Sequence, residues 1–232
     1  MSSKRPDGTL VLIGGGEWRD GCRSFDAELL AIGGREVVVL PSAAAYEQPD
    51  RVIKRAEAYF GELGATVVPL MVLHRAEAED KTLAAIVATA GFIYLADGSP
   101  MHLRSVLKDS AVFAALVDAY SGGAVVAASG AGATVLCDPM VDPRGGAYTV
   151  GLGLVRDLAV FPYHGTAATH LRERSIDLLP ATARLVGVDE QTALIRGPDG
   201  AWRVGGHGHV TVYEEREAAV FDAGAAVDLL NV

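Results

Sequence analysis

Cysteine is almost missing from this chain. The two present, Cys22 and Cys137, stand far apart. That excludes a disulfide framework, a cysteine-rich zinc knuckle and a C-x-x-C redox pair, and it points to a reducing, cytoplasmic setting. The two thiols read as small buried apolar groups. Basic residues are also in deficit: 20 Lys+Arg face 29 Asp+Glu, for a net charge of −9. That balance weighs against nucleic acid or an anionic membrane as partner. No apolar run approaches the roughly 18 residues needed to cross a bilayer, and the N-terminus carries no signal-peptide pattern. What the chain does have is hydrophobic residues at 50% and 27 glycines among 232 residues. Such a composition supports a sizeable core with many tight turns, and excludes a disordered chain or a collagen-like repeat.

Short β-branched runs recur at 9–13, 37–40, 65–68, 92–95 and 124–127, and they are apolar on both faces, as in centrally buried parallel strands. Between them lie helical patterns. The clearest puts Val52, Ile53, Ala56, Tyr59, Phe60 and Leu63 on one stripe, and others cover about 77–89 and 109–120. The alternation predicts a doubly wound, mostly parallel α/β sheet over the first 140 residues. After about residue 145 the pattern becomes β-rich, with strands expected near 148–155, 158–163, 184–188, 192–196 and 209–213. A helix over 167–179 interrupts them. Gly197-Pro198-Asp199-Gly200 is a strong hairpin turn. With no linker and no repeat, residues 1–232 read as a single domain.

Ligands of open α/β sheets bind beyond the carboxyl ends of the strands, which directs attention to residues 14–19, 96–101 and 127–133. Gly14-Gly15-Gly16-Glu17 misses the dinucleotide spacing, because Arg19 stands where the last glycine of G-x-G-x-x-G is needed. It reads as a tight turn, with an active-site wall or a nucleotide loop as the other readings. Residues 127–133, Ala-Ala-Ser-Gly-Ala-Gly-Ala, follow an apolar strand and open a small-residue helix. That is the geometry of a nucleophile elbow, where the first helical amides can face an oxyanion. His207-Gly208-His209 could offer two imidazoles but lacks an evident third ligand, so no metal is expected. Arg172 and Arg174, two apart on a helix, fall on different faces and read as a solvated surface.

These segments resemble the cyanophycinase and dipeptidase E (aspartyl dipeptidase) family of serine peptidases, which has the class I glutamine-amidotransferase-like, flavodoxin-like fold. The elbow is similar to that family's G-T-S-A-G-A. Gly187-Val188-Asp189-Glu190-Gln191-Thr192-Ala193-Leu194 resembles G-I-D-E-x-T-A-L, and Ala96-Asp97-Gly98-Ser99 stands where the family carries T-G-G. Phe161-Pro162-Tyr163-His164 stands where its catalytic histidine ends a strand. The segment 205–213 is similar to its G-x-G-x-V-x-V-x terminus. The resemblance implies His164 as general base, Glu190 as the carboxylate orienting it, and the Gly98 and Ala131 amides as oxyanion hole. It implies no cofactor, a small peptide or amino-acid-like ligand, and a homodimer.

Two departures stand out. The elbow alignment puts Gly130 where the attacking serine belongs, and without a side-chain oxygen the usual acyl-enzyme cannot form. The neighbouring Ser129 is the candidate substitute nucleophile, although alternation along a strand turns it the other way. Pro100 stands where the family has its substrate-gripping glutamine; Ser99 and Pro100 make a good N-cap and first helical residue and remain candidate ligand contacts. The expectation is therefore a peptidase-like protein with impaired or absent hydrolysis that binds a peptide-like ligand. The alternatives are a working dipeptidase on small acidic peptides using Ser129, and a scaffold.

Overall fold

The structure, a computed structural model, describes residues 7–214 and 217–230. Residues 1–6, 215–216 and 231–232, which the single-domain reading of 1–232 includes, lie outside the described residues. Strand and helix alternate as β1 (Leu10–Ile13), α1 (Arg23–Gly33), β2 (Glu36–Leu40), α2 (Pro49–Glu62) and β3 (Thr66–Pro69). Then come α3 (Arg75–Ala78), α4 (Lys81–Thr89), β4 (Phe92–Leu95), α5 (Pro100–Leu107), α6 (Ala111–Ser121), β5 (Val125–Ser129) and α7 (Ala131–Leu136). Four two-residue strands follow: β6 (Cys137–Asp138), β7 (Met140–Val141), β8 (Tyr148–Thr149) and β9 (Val155–Arg156). The rest is β10 (Leu158–Phe161), α8 (Thr169–Asp177), β11 (Arg184–Val188), β12 (Thr192–Arg196), β13 (Trp202–Gly206), β14 (His209–Glu214) and β15 (Glu217–Asp222).

The expected doubly wound α/β architecture is present. Seven strands form one sheet in the order β13-β12-β1-β5-β4-β2-β3, with β1, β5, β4, β2 and β3 mutually parallel. Its side chains alternate between two apolar layers. Val11, Val37, Val39 and Tyr94 face α1 and α2, whereas Leu12, Val38, Leu40 and Ile93 face the layer of α4 to α7. Such two-sided burial is why these runs carry no polar alternation. Phe60 of α2 is fully buried against Trp18, Tyr59, Phe92 and Tyr94, a burial worth about 1.5–3 kcal/mol.

Several boundaries depart from the sequence pattern. The β-rich part is not a separate layer, because β12 pairs antiparallel with β1 and brings β13 with it into the first sheet. The second sheet, β15-β14-β11-β10-β6-β9, joins the same apolar cluster through Val160, Val186, Val210 and Val212. The expected strand 148–155 is reduced to β8 and β9 at its two ends. The helix expected over 77–89 breaks at Asp80, whose carboxylate caps a new start by accepting from Thr82 N at 2.6 Å and Leu83 N at 3.3 Å. The 197–200 turn closes the β12–β13 hairpin, and α1, β13 and β15 were not foreseen from the pattern.

One polar group is held deep in the α1–α2 layer. Asp26 is fully buried, accepts a 2.8 Å hydrogen bond from the Tyr59 hydroxyl, and leaves its Oδ1 without a partner. Burial pushes its carboxyl up to about 7, against the pull of Tyr59. A folded-state value above the unfolded one means stability that is full below about pH 4 and is lost as pH rises through about 7. Asp26→Asn should therefore flatten the fall in stability between those limits. Urea denaturation at pH 4.5 and 8 should show a loss of up to a few kcal/mol in the wild type that is absent from the variant.

Candidate functional site

The carboxyl ends of β1, β4 and β5 converge as the topology requires. β5 ends at Ser129, in register with Ile13 of β1, and the chain turns through Gly130 into α7. Gly130 has φ 47 and ψ −102, a conformation that L side chains rarely adopt. Its N–H donates to Ile13 O at 2.9 Å, which ties the turn to β1.

A Cβ on Gly130 would lie 2.2 Å from Asp97 Oδ1, 2.3 Å from its Cγ and 2.4 Å from Oδ2. The space over the turn is thus filled by the Asp97 carboxylate, which comes from the end of β4. Asp97 Oδ1 accepts from Gly98 N at 2.7 Å and from Ala131 N at 2.7 Å. These are the two amides that the family resemblance implied as an oxyanion hole, and both point at one atom. What they hold is the protein's own side chain. Asp97 Oδ2 accepts from the Tyr163 hydroxyl.

Tyr163 reaches this position across Gly15. A Cβ there would lie 2.3 Å from the tyrosine ring, so only glycine lets the ring pass. The Gly14-Gly15-Gly16 loop is a wall of the site, fastened by Tyr163 N to Gly14 O at 2.7 Å and Gln191 N to Gly15 O at 2.8 Å. Both fastening residues have φ 55, and Trp18 beside the loop has φ 61. Left-handed non-glycine residues of this kind store strain of about 1–3 kcal/mol each and cluster at functional sites.

The structure does not bring His164 to the elbow. Adjacent residues diverge, and with Tyr163 over Gly130, His164 turns to β11 and β14. Its Nε2 lies 2.7 Å from the Tyr213 hydroxyl and its Nδ1 3.6 Å from Asp189 Oδ1. Burial holds its imidazole below the ordinary value, aided by Arg172 and opposed by Asp189. Glu190, the expected orienting carboxylate, instead accepts from Thr166 Oγ1 at 3.1 Å and lines the cleft, so Asp189 is the acid beside the imidazole. Ser129 is fully buried, and its hydroxyl donates to Glu17 Oε2 at 2.9 Å. Burial first, then Asp97, raises the Glu17 carboxyl above its usual range. Arg55 lies 4.0 Å from Glu17 and stacks 5.6 Å from the Trp18 ring centroid.

Ser99 caps α5, accepting from His102 N at 3.4 Å, and Pro100 is buried at its first position. Both thiols are buried, and desolvation pushes Cys22 and Cys137 up to about 12. His209 pairs with Asp189 and Asp222 at 3.3 Å and 3.2 Å. Among the described residues no three His, Cys, Asp or Glu side chains are grouped to hold a metal ion. Nor is any described helix long and apolar enough to cross a membrane. Asp97, Tyr163 and Glu17 are the residues that motif reading missed. The signal was there in one place: position 97 carries a carboxylate at a T-G-G-like turn, and position 130 lacks a side chain.

The family model for "Peptidase family S51" matches residues 10–202. A cyanophycinase of Synechococcus elongatus is 25% identical over 229 residues, covering 91% of this chain and 70% of that protein. A cyanophycinase of Trichormus variabilis is 28% identical over 197 residues, 78% of this chain and 64% of its own length. Among solved structures, a peptidase from an acI-B1 Actinobacterium superposes with TM-score 0.87 at 24% identity, over 97% of this chain and 98% of that one. A putative peptidase E protein from Listeria monocytogenes superposes with TM-score 0.64 at 13% identity, over 94% and 100%. The fold of this chain is the fold of those peptidases.

The packing of Asp97 over residue 130 makes a quantitative prediction. Gly130→Ala should cost about 2–6 kcal/mol in urea denaturation, from backbone strain of roughly 1–3 kcal/mol and crowding of roughly 1–3 kcal/mol. In an Asp97→Ala background only the backbone part should remain. A coupling below about 1 kcal/mol would contradict the contact.

Proposed function

Since the chain belongs to peptidase family S51, we propose that it is a member whose elbow carries Gly130 in place of the attacking serine, and that it binds a small peptide- or amino-acid-like ligand without cleaving it through an acyl-enzyme. The observation that carries this reading is the Asp97 carboxylate seated on the Gly98 and Ala131 amides, over a residue that has no side chain.

The chemistry follows from those contacts. Covalent acyl transfer needs a nucleophilic side chain at the turn and two free donors for the developing oxyanion. Residue 130 offers no such atom, and both donors are occupied by an acceptor that already carries charge. A substrate carbonyl would have to displace that carboxylate from two charge-assisted hydrogen bonds, which are about twice as strong as neutral ones. The nearest serine, Ser129, is fully buried and its hydroxyl is committed to Glu17. His164, facing Tyr213 and Asp189, is not placed to activate a group at the elbow. What persists is a concave site with apolar and charged walls, the arrangement of a small-molecule binding site.

A fluorophosphonate probe at pH 7.5 should leave the wild-type protein unlabelled under conditions that label an active serine peptidase to completion. Stoichiometric labelling mapped to Ser129 would overturn the proposal in favour of a working hydrolase. A thermal-shift panel of dipeptides and amino-acid amides should contain at least one compound that raises Tm, since a ligand at 100 times its Kd stabilises the fold by about 2.7 kcal/mol.

A further inference from the structure

The cleft over Asp97 has two compartments of opposite character. One, of about 200 Å³, is walled mainly by Pro100, Val141, Phe161, Pro162, Ala167 and Leu171, with Thr134 and Asp142 also on its lining. The other, of about 250 Å³, is walled by Glu17, Glu47 and Glu190 together with Arg19 and Arg55. Asp97, Gly98 and Tyr163 line both, so the Asp97 carboxylate stands at the junction. Resting on the reading that this cleft binds rather than cleaves, we propose that its ligand is a primary ammonium attached to an apolar side chain. The simplest examples are the amide of a leucine- or phenylalanine-like amino acid and a peptide N-terminus beginning with such a residue.

Each part of the ligand follows from a part of the site. The first compartment has room for a branched aliphatic or phenyl group. A carboxylate or guanidinium placed among its proline, valine, phenylalanine and leucine walls would be desolvated at large cost. Hydrocarbon there gains from leaving water. At the junction, Asp97 Oδ1 is saturated by two amides, whereas Oδ2 takes only the Tyr163 hydroxyl and keeps acceptor capacity for one more donor. An ammonium has donors and no acceptor, so it completes that shell. An anionic or carbonyl head group finds the amides already taken and meets a negative oxygen. Five carboxylates (Glu17, Glu47, Asp97, Asp142 and Glu190) against two guanidinium groups along the two compartments give the same sign of preference. Close carboxylates at Asp97 and Glu17 repel each other, and a cation beside them relieves that repulsion.

Isothermal titration of the full chain at pH 7.5 with four probes tests this: L-leucinamide, N-acetyl-L-leucinamide, glycinamide and L-aspartic acid α-amide. L-leucinamide should bind at least tenfold more tightly than each of the others, and more weakly at 500 mM than at 50 mM NaCl. Asp97→Asn should lower L-leucinamide affinity at least tenfold. Ala167→Phe, a change on the half-buried rim of the apolar compartment, should bring L-leucinamide down to the level of glycinamide without changing the latter. Equal affinity for the acetylated probe, equal affinity for glycinamide, or no binding of L-leucinamide overturns the inference. Preferential binding of the aspartic amide overturns it while leaving the ligand-binding reading intact. Fluorophosphonate labelling of the wild type would overturn that underlying reading instead.

Discussion

The Asp97 carboxylate on the Gly98 and Ala131 amides is the contact around which the cleft is arranged. Two backbone donors at the end of one strand and the start of a helix would be unsatisfied if nothing faced them, and an anion is the partner that such a pair favours. Here the anion is internal. It occupies the volume over Gly130, it takes the Tyr163 hydroxyl on its other oxygen, and it thereby fixes which side chains line the cleft. Catalytic potential and ligand preference are both consequences of that one placement.

Holding Tyr163 over Asp97 has its own requirements. The ring crosses Gly15 at a distance no Cβ would allow, and the loop that carries Gly15 is tied to both Tyr163 and Gln191 through their backbone amides. Tyr163 and Gln191 adopt left-handed backbone, and each reverses the direction of its neighbour. His164 is thereby delivered to Tyr213, and Asp189 rather than Glu190 to His164. These two left-handed residues lie in the segments that follow β10 and β11, where backbone bonds to the Gly14–Gly15 loop hold them.

Much of the fold was legible because its signals are local. The apolar runs of β1, β2, β4 and β5, the stripe of α2, the Ser99-Pro100 start of α5 and the 197–200 turn each follow from a few adjacent residues. The elbow was legible for the same reason: a strand, a tight turn and a helix of small residues leave one conformation for Gly130. The interruption at Asp80 was harder to see, since an apolar periodicity continues across it. The assignment of β12 and β13 to the first sheet was not visible at all. A strand that is apolar on both faces fits beside several neighbours equally well, and long-range pairing decides among them.

By itself the sequence determined the doubly wound architecture, the family, and the absence of a side-chain oxygen at position 130, because each of these rests on residue type and on spacing along the chain. Only the tertiary structure decided which groups face that position. Asp97, Tyr163 and Gly130 are distant in sequence; Asp97 and Gly130 meet through the β4–β5 pairing, Tyr163 is brought to them from the second sheet by its bond to Gly14, and whether Tyr163 or its neighbour His164 looks into the cleft depends on a single backbone reversal. A motif names the residues at a strand end; the direction in which each points is set by the packing that holds φ on one side of zero or the other.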